Sequence, residues 1–551
     1  MTRAALVGLT AVLCAMGCSG SPSLTYPRGQ TRTPDDRPRL VVVIVIDQLG
    51  SWMLDRYLPY LSSKGAFKTG IASGAYHTTV SYLHAGTFTA PGHAATYTGV
   101  APAHNGVCAN VRWDRVHNRL MHVVDDRKHY WLSDSHSFSS PAVLRVSTVA
   151  DVLLNVTHNK AQVASLAFKD YAAVIAGGRN SSLTLWFDPN GDSAGFTTSS
   201  YYAEYLPDWL VPWLVHHSPE SYIRQWDVYN EDLMERVNGP DEGVGETGFA
   251  GFGTTFPHDP RKTNQPLVAF TATPEANEYL FDLAWESIQR LGMGNDSIPD
   301  LLMVSVSATD FIGHHYGAES WEYFDMLLRL DSVLAKFVAR IKAYTFAAFI
   351  LTSDHGAAPM PERLLAEGQL AGRIDVASLK TEIDQALDKV KGEGDWVAAI
   401  EPPFIYLANS IHRDKQRAES IQVVVDTLVK KPFIEAALDI SNTGQWRNVG
   451  SKLKYPVGLS VADDLGADVY MLPKPYYVFD SNIQHGGTNH GTLWPYDRDV
   501  PVIMWGTGVQ PAHSRERMDQ RRVPVSIATL LGIQLPALKQ MPPLAGVSPL
   551  H

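Results

Sequence analysis

Apolar runs without polar alternation recur along this chain, and helical stretches separate them. Leu40 to Ile46 is an unbroken β-branched run, Leu-Val-Val-Val-Ile-Val-Ile. Such a run suits a strand buried on both faces of a parallel sheet. Gln162 to Ala167, Asp300 to Val306, Phe346 to Leu351 and Val500 to Trp505 repeat the pattern. Helical periodicity fills Met53 to Gly65, Glu275 to Leu291 and Ser320 to Tyr344. The alternation predicts an α/β fold with a doubly wound, mostly parallel sheet and helices on both faces.

Two stretches break the rhythm. Residues 180–265 are rich in Trp, Tyr, Gly and Asn, which predicts an insertion that shapes the mouth of a site. Residues 360–480 hold a helical segment, Asp375 to Lys391, and the strand-like runs Phe404 to Leu407 and Val469 to Leu472. They predict a smaller inserted α/β cap. Such an insertion leaves the parent sheet intact because its ends can lie close together. The Pro-rich tail from Arg521 to His551 is expected to pack on the surface.

The first eighteen residues stand apart from this layout. Met1-Thr2-Arg3 and the short apolar run Ala4 to Met16 read as an export signal, too short to span a bilayer. Ala15-Met16-Gly17-Cys18 resembles a lipoprotein signal in which Cys18 carries the anchor. The expected location is periplasmic or extracellular. Residues 19–37, rich in Ser, Thr, Pro and Gly, read as a flexible tether, and 38–551 as one catalytic domain with the two insertions. Only Cys108 then remains in the folded body, beyond Cys14 and Cys18, so no intrachain disulfide is expected.

The net charge of −11 argues against nucleic acid or an anionic membrane surface as a main partner. It leaves a phosphate substrate open, because bound metals would set the local field.

Chemistry gathers at the ends of the predicted strands. Asp47 closes the first run, Asp310 and His314 follow the Asp300 run, and Asp354 and His355 follow the Phe346 run. His490 lies in Thr-Asn-His-Gly near the last strand. Reactive groups in open α/β sheets collect at the carboxyl ends of strands, so these distant residues can meet. Carboxylate and imidazole are the ligands of hydrolytic zinc. Asp310 and His314, four apart on a helical turn, would share one zinc with His490. Asp47, Asp354 and His355 would hold a second, with Thr89 of Thr-Phe-Thr-Ala-Pro-Gly-His as its coordinated nucleophile. A threonine hydroxyl is poor at neutral pH, and metal coordination is the means of ionising it. His93, His104, His315 and His485 read as packing or loop residues.

With these motifs in place, the chain resembles the alkaline phosphatase superfamily. It is most similar to bacterial phosphate-irrepressible alkaline phosphatases with a Thr nucleophile, which are related to nucleotide pyrophosphatase/phosphodiesterases. Further motifs that carry the resemblance are Gly92 to Gly99, His104-Asn105-Gly106 leading to Asn110, Tyr201-Tyr202 and Pro207-Asp208-Trp209. The resemblance implies two Zn2+, Thr89 as the phosphorylated residue, Asn110 and Lys169 as donors to phosphate oxygens, and small phosphate esters as substrates. Its monoesterases carry Lys-Asp-Arg where this chain has Lys169-Asp170-Tyr171. Tyr171 therefore stands in a substrate-binding position without the charge or the fork of a guanidinium. Phosphomonoesters are the expected substrates and phosphodiesters the alternative. A silent, anion-binding surface lipoprotein is a third reading. A sulfatase would need Cys or Ser in a C/S-x-P-x-R setting, and Thr89-Ala90-Pro91-Gly92-His93 lacks both the residue and the Arg.

Overall fold

The computed structural model describes residues 37–190, 195–480 and 486–548. The expected signal, nearly all of the tether, Cys14, Cys18 and His485 lie outside the described residues.

A ten-stranded sheet forms the centre. Four adjacent parallel strands carry the site: β1 (Leu40–Ile46), β2 (Val163–Ala167), β3 (Asp300–Val306) and β4 (Ala347–Thr352). Their spatial order is β4-β1-β3-β2, with β1 paired in register to β3 and β4. Every residue of β1 is buried. Leu40, Val42, Ile44 and Ile46 join one apolar layer, and Val41, Val43 and Val45 join the other. A strand with cores on both faces has no polar side to display, which is why its sequence does not alternate.

Helices pack both faces. The long helix Trp321–Tyr344 starts at Ser320, whose hydroxyl accepts from the Tyr323 N–H, and it buries Tyr323, Leu327, Leu330 and Leu334 in the first layer. The helix Arg522–Leu530 buries Val523, Ile527 and Leu530 in the second. This corrects the expected surface tail, whose Val and Ile spacing forms a core-facing stripe despite the prolines around it. Asp499–Gly506 is a core strand as expected, but it runs antiparallel between β4 and Ala75–Ser81. Residues Leu183–Asp188 and Gly195–Thr197 belong to the central sheet beyond β2. The segment that departs from the strand–helix alternation therefore begins only after Thr197.

Within residues 360–480 a separate four-stranded antiparallel sheet, Val397–Glu401, Phe404–Leu407, Val469–Pro473 and Ile434–Asp439 in spatial order, packs on the helices Val376–Lys391 and Arg417–Leu428. It has its own apolar cluster, centred on Leu379, Ile383, Ile405 and Val424.

Candidate active site

Three helices begin where the chain leaves, or abuts, the carboxyl edge of the four strands: α1 (Thr89–Thr98), α2 (Asp170–Gly177) and α3 (Ala308–Tyr316). Thr89 is the first residue of α1, so its hydroxyl sits at the positive end of a ten-residue helix. A Cβ on Gly92 would lie 2.2 Å from the Asp354 carbonyl oxygen, so only glycine lets this turn close on the Asp354 loop. Lys169 caps α2, directly after β2. Asp310 and His314 share one side of α3, as their spacing predicts.

The structure brings the expected residues together as two adjoining groups of candidate ligands. In the outer set, His314 Nε2 lies 3.2 Å from Asp310 Oδ1 and 3.3 Å from His490 Nε2, and His490 Nε2 lies 3.6 Å from Asp310 Oδ1. A tetrahedral ion with ligands at about 2.0–2.2 Å needs those atoms about 3.3–3.6 Å apart. The triangle fits one face of such a site. In the inner set, His355 Nε2 lies 3.3 Å from Asp47 Oδ1, 3.7 Å from Asp354 Oδ2 and 3.3 Å from Thr89 Oγ1. Asp47 Oδ1 is buried without a hydrogen-bond partner, and Asp354 Oδ2 is buried with only His93 Nδ1 at 3.3 Å and His355 Nε2 at 3.7 Å near it. Such oxygens carry a desolvation cost that a cation would relieve. His355 is close to both sets, since its atoms also lie within 4.8 Å of Asp310 and His490 ligand atoms.

All three imidazoles are aimed in the same way. Nδ1 of His355, His490 and His314 faces the carbonyl oxygens of Gly356, Thr87 and Thr488 at 2.9, 2.7 and 3.2 Å. Donation from Nδ1–H leaves Nε2 with a free lone pair, the form that binds metal. Burial lowers the pKa of His355 and His490, and for His490 the neighbouring His355 and His314 add to the effect. Both imidazoles are thereby kept neutral. Burial raises the Asp47 carboxyl, and Asp310 and Asp354 push it the same way. Burial also opposes ionisation of Asp310 and Asp354, but the His314 imidazole and Lys169 ammonium beside Asp310, and the His355 and His93 imidazoles beside Asp354, outweigh it and hold both low. Three buried carboxylates face one ammonium, so the donor set suits divalent cations.

Lys169 Nζ supplies that ammonium. It donates to Asp47 Oδ2 at 2.6 Å and Asp310 Oδ2 at 2.5 Å and stands 3.5 Å from Thr89 Oγ1. Burial works against its charge, yet the two carboxylates more than restore it. Asn110 Oδ1 accepts the Ala90 N–H at 2.8 Å. Its carbonyl end is committed, and the amide NH2 is the end left for a ligand. Tyr171 is half-buried, and its ring stacks against His122. Burial raises its phenol, Lys169 lowers it, and Asp47 and Asp310 raise it again, so the hydroxyl stays neutral.

Sequence reasoning missed the groups that hold these ligands. Gln48 Nε2 donates to Asp310 Oδ1 at 2.7 Å, and Gln48 itself has φ 67°, a region that non-glycine residues rarely enter. A Cβ at Gly313 would fall 1.7 Å from Gln48 Oε1, so the glycine of Gly313-His314 makes room for this contact. Thr309 donates to the Asp47 carbonyl at 2.6 Å. His93, expected only to pack, contacts the Thr89 carbonyl at 2.9 Å, Ser305 Oγ at 3.0 Å and Asp354 Oδ2 at 3.3 Å. A polar residue directly after a ligand is the one signal that could have pointed to Gln48. His315 turns away onto the Phe249 ring.

The profile of the type I phosphodiesterase / nucleotide pyrophosphatase family matches residues 41–493. The chain is 30% identical to alkaline phosphatase PhoV of Synechococcus elongatus over 91% of both proteins. It is 27% identical to alkaline phosphatase PafA of Elizabethkingia meningoseptica, over 91% of this chain and 93% of that one. The crystal structure of wild-type PafA superposes with a TM-score of 0.85 at 25% identity, covering 93% of this chain and 99% of that one. A solved PafA variant changes a Thr, an Asn, a Lys and an Arg together. The Thr and Asn are spaced like Thr89 and Asn110, and the Lys and Arg like Lys169 and Tyr171.

Proposed function

The chain belongs to the type I phosphodiesterase / nucleotide pyrophosphatase family and is an alkaline phosphatase-like phosphohydrolase; from that premise we propose that it hydrolyses phosphomonoesters with two zinc ions and a phospho-threonine at Thr89. The observation that carries this reading is the position of the Thr89 hydroxyl. It stands at a helix N-terminus, 3.3 Å from His355 Nε2 and beside Lys169.

Asp310, His314 and His490 would hold one ion, and Asp47, Asp354 and His355 the other. The ions would supply charge neutralisation and hydroxyl acidification. Thr89 Oγ1 attacks phosphorus in line with the departing alcohol, and phosphate is transferred to the side chain. Water then releases it. Lys169 Nζ and the Asn110 amide donate to the equatorial oxygens, where charge is held through the displacement. His93 fixes the first turn of α1 through the Thr89 carbonyl, which keeps the hydroxyl aimed.

Tyr171 supports a second reading. A neutral phenol gives a dianionic monoester one charged contact fewer than a guanidinium would, and a diester loses less by this. The test is kcat/KM on matched aryl monoester and diester substrates. Higher efficiency on the monoester is the expected result; preference for the diester would move the protein to phosphodiesterase. We also take the Cys18 segment as a lipoprotein signal of an exported enzyme. Mass spectrometry of the N-terminus from cell envelopes would show a lipidated Cys18 or overturn that reading.

A further inference from the structure

A second concave site lies past the metal-bearing loop. It is a groove of about 910 Å³ between residues 447–456 and 493–498, closed on one side by Arg517. This is the size of a small-molecule site. Arg447, Lys452, Arg498 and Arg517 line it, and no carboxylate does. The chain as a whole has 46 Lys and Arg against 57 Asp and Glu, so four cations without an acid are a local reversal.

Arg498 is the centre of the charge. It is half-buried, its Nε donates to the Tyr82 carbonyl at 2.6 Å, and its Nη1 lies 3.5 Å from the Leu493 carbonyl. Both partners are neutral. Among the described residues no carboxylate stands within ion-pair distance of its guanidinium. Arg517 pairs with Asp499, and Arg447 donates to the Gly458 and Val461 carbonyls at 3.0 and 2.8 Å and meets the outward-facing Asp463 at 3.4 Å. A partly buried cation with no directly paired carboxylate carries a desolvation cost that an anion would offset. Burial lowers the Arg498 pKa, Asp499 raises it and Arg517 lowers it again. Leu493, Trp494, Pro456 and Tyr455 give the groove an apolar and aromatic side, and Asn448 and Ser451 add neutral polar groups.

We propose that this groove is a second anion-binding site, separate from the catalytic centre, that takes a phosphate- or phosphonate-type anion bearing an aromatic or apolar group. The anion sits on Arg498 with Lys452 and Arg517, and the apolar group rests on Trp494. Leu493, whose carbonyl Arg498 holds, follows His490 by three residues, so the site touches the loop that carries a candidate ligand. The inference is independent of the proposed catalytic chemistry.

The probe is phenylphosphonate, which offers no ester bond to cleave. Calorimetric titration of the metal-loaded wild-type protein should show a binding event that is not competitive with substrate and weakens with added salt. The double variant Lys452→Ala/Arg517→Gln, made at exposed positions, should weaken that event at least about tenfold, the loss of one to two charge-assisted contacts. Its inhibition constant for phenylphosphonate against substrate should not move. Arg498→Lys, which keeps the charge but loses the fork and the Tyr82 and Leu493 contacts, should weaken the same event at least as much as the double variant does. Binding that is wholly competitive with substrate, or a non-competitive event that survives in the double variant, would overturn the proposal.

Discussion

The two groups of candidate ligands share a wall and differ in setting. The inner set, Asp47, Asp354 and His355, is sealed: all three side chains are at 0% exposure. Its candidate ligands follow two adjacent strands, β1 and β4, and Asp47 Oδ1 accepts no hydrogen bond. The outer set, Asp310, His314 and His490, opens to solvent through His314, whose side chain is 33% exposed. It joins a helix to a loop from far along the chain. The difference teaches a division of labour. A sealed, strand-borne set can hold a nucleophile in one geometry, and an open one can admit an alcohol leaving group and then water.

The largest effect should come from the residue that faces the inner set. Thr89→Ala should lower kcat by about 10^4-fold or more without loss of folding, because a nucleophile has no substitute nearby. Thr89→Ser should retain partial activity, since the hydroxyl survives. Steady-state rates with a melting curve for each variant check both. Equal activity in wild type and Thr89→Ala would break the comparison at its root.

Gln48→Ala comes next. Gln48 holds Asp310 from beneath the outer set, and loss of such support usually costs about 10–100-fold in metal affinity or rate. Metal titration should show weakening confined to one of two ions. Loss at both would mean that Gln48 braces the two sets together.

Tyr171→Arg should sharpen the role of the wall next to Lys169. An added guanidinium should raise monoester efficiency more than diester efficiency, by roughly ten- to a hundredfold in the ratio, about 1–3 kcal/mol in the transition state. An unchanged ratio would show that this position does not read phosphate charge.

The smallest effect concerns the segment packed behind His315. The Glu246 carboxyl is pushed up to about 9, first by burial and then by Glu322. Thr247, its neighbour, donates its backbone N–H to the His315 carbonyl at 2.9 Å. A carboxyl whose folded pKa is raised favours the folded state while protonated. That stability declines as pH rises above the unfolded value near 4.5 and is gone above about 9. Glu246→Gln should therefore melt higher than wild type at pH 9 and about the same at pH 5. An equal gain at both would remove ionisation as the cause.

The sequence showed the site more clearly than the fold around it. Asp47, Asp310 and His314, and Asp354 and His355 each stand within a few residues of an apolar run, so strand-end logic reaches them. Direction was less legible. Val500 to Trp505 is apolar whichever way it runs, and only pairing with β4 and Ala75–Ser81 makes it antiparallel. Leu183–Asp188 and Gly195–Thr197 hid in a Trp- and Gly-rich stretch, the first a short strand buried on both faces and the second a three-residue edge strand, both too short for a clear period. The prolines of the tail masked the apolar stripe of Arg522–Leu530. Gln48 escaped notice and His93 was read as packing because their work is to orient other groups, and a single sequence marks a hydrogen bond to a distant carboxylate only weakly.

Metal content tests the central claim most directly. Active protein, freed of loose ions, should carry two zinc ions per chain, and strong chelation should abolish turnover. His314→Ala should keep one, held by the sealed inner set, and His355→Ala should lose the inner ion and weaken the outer. Fully active wild-type protein with fewer than one metal ion per chain would contradict the account.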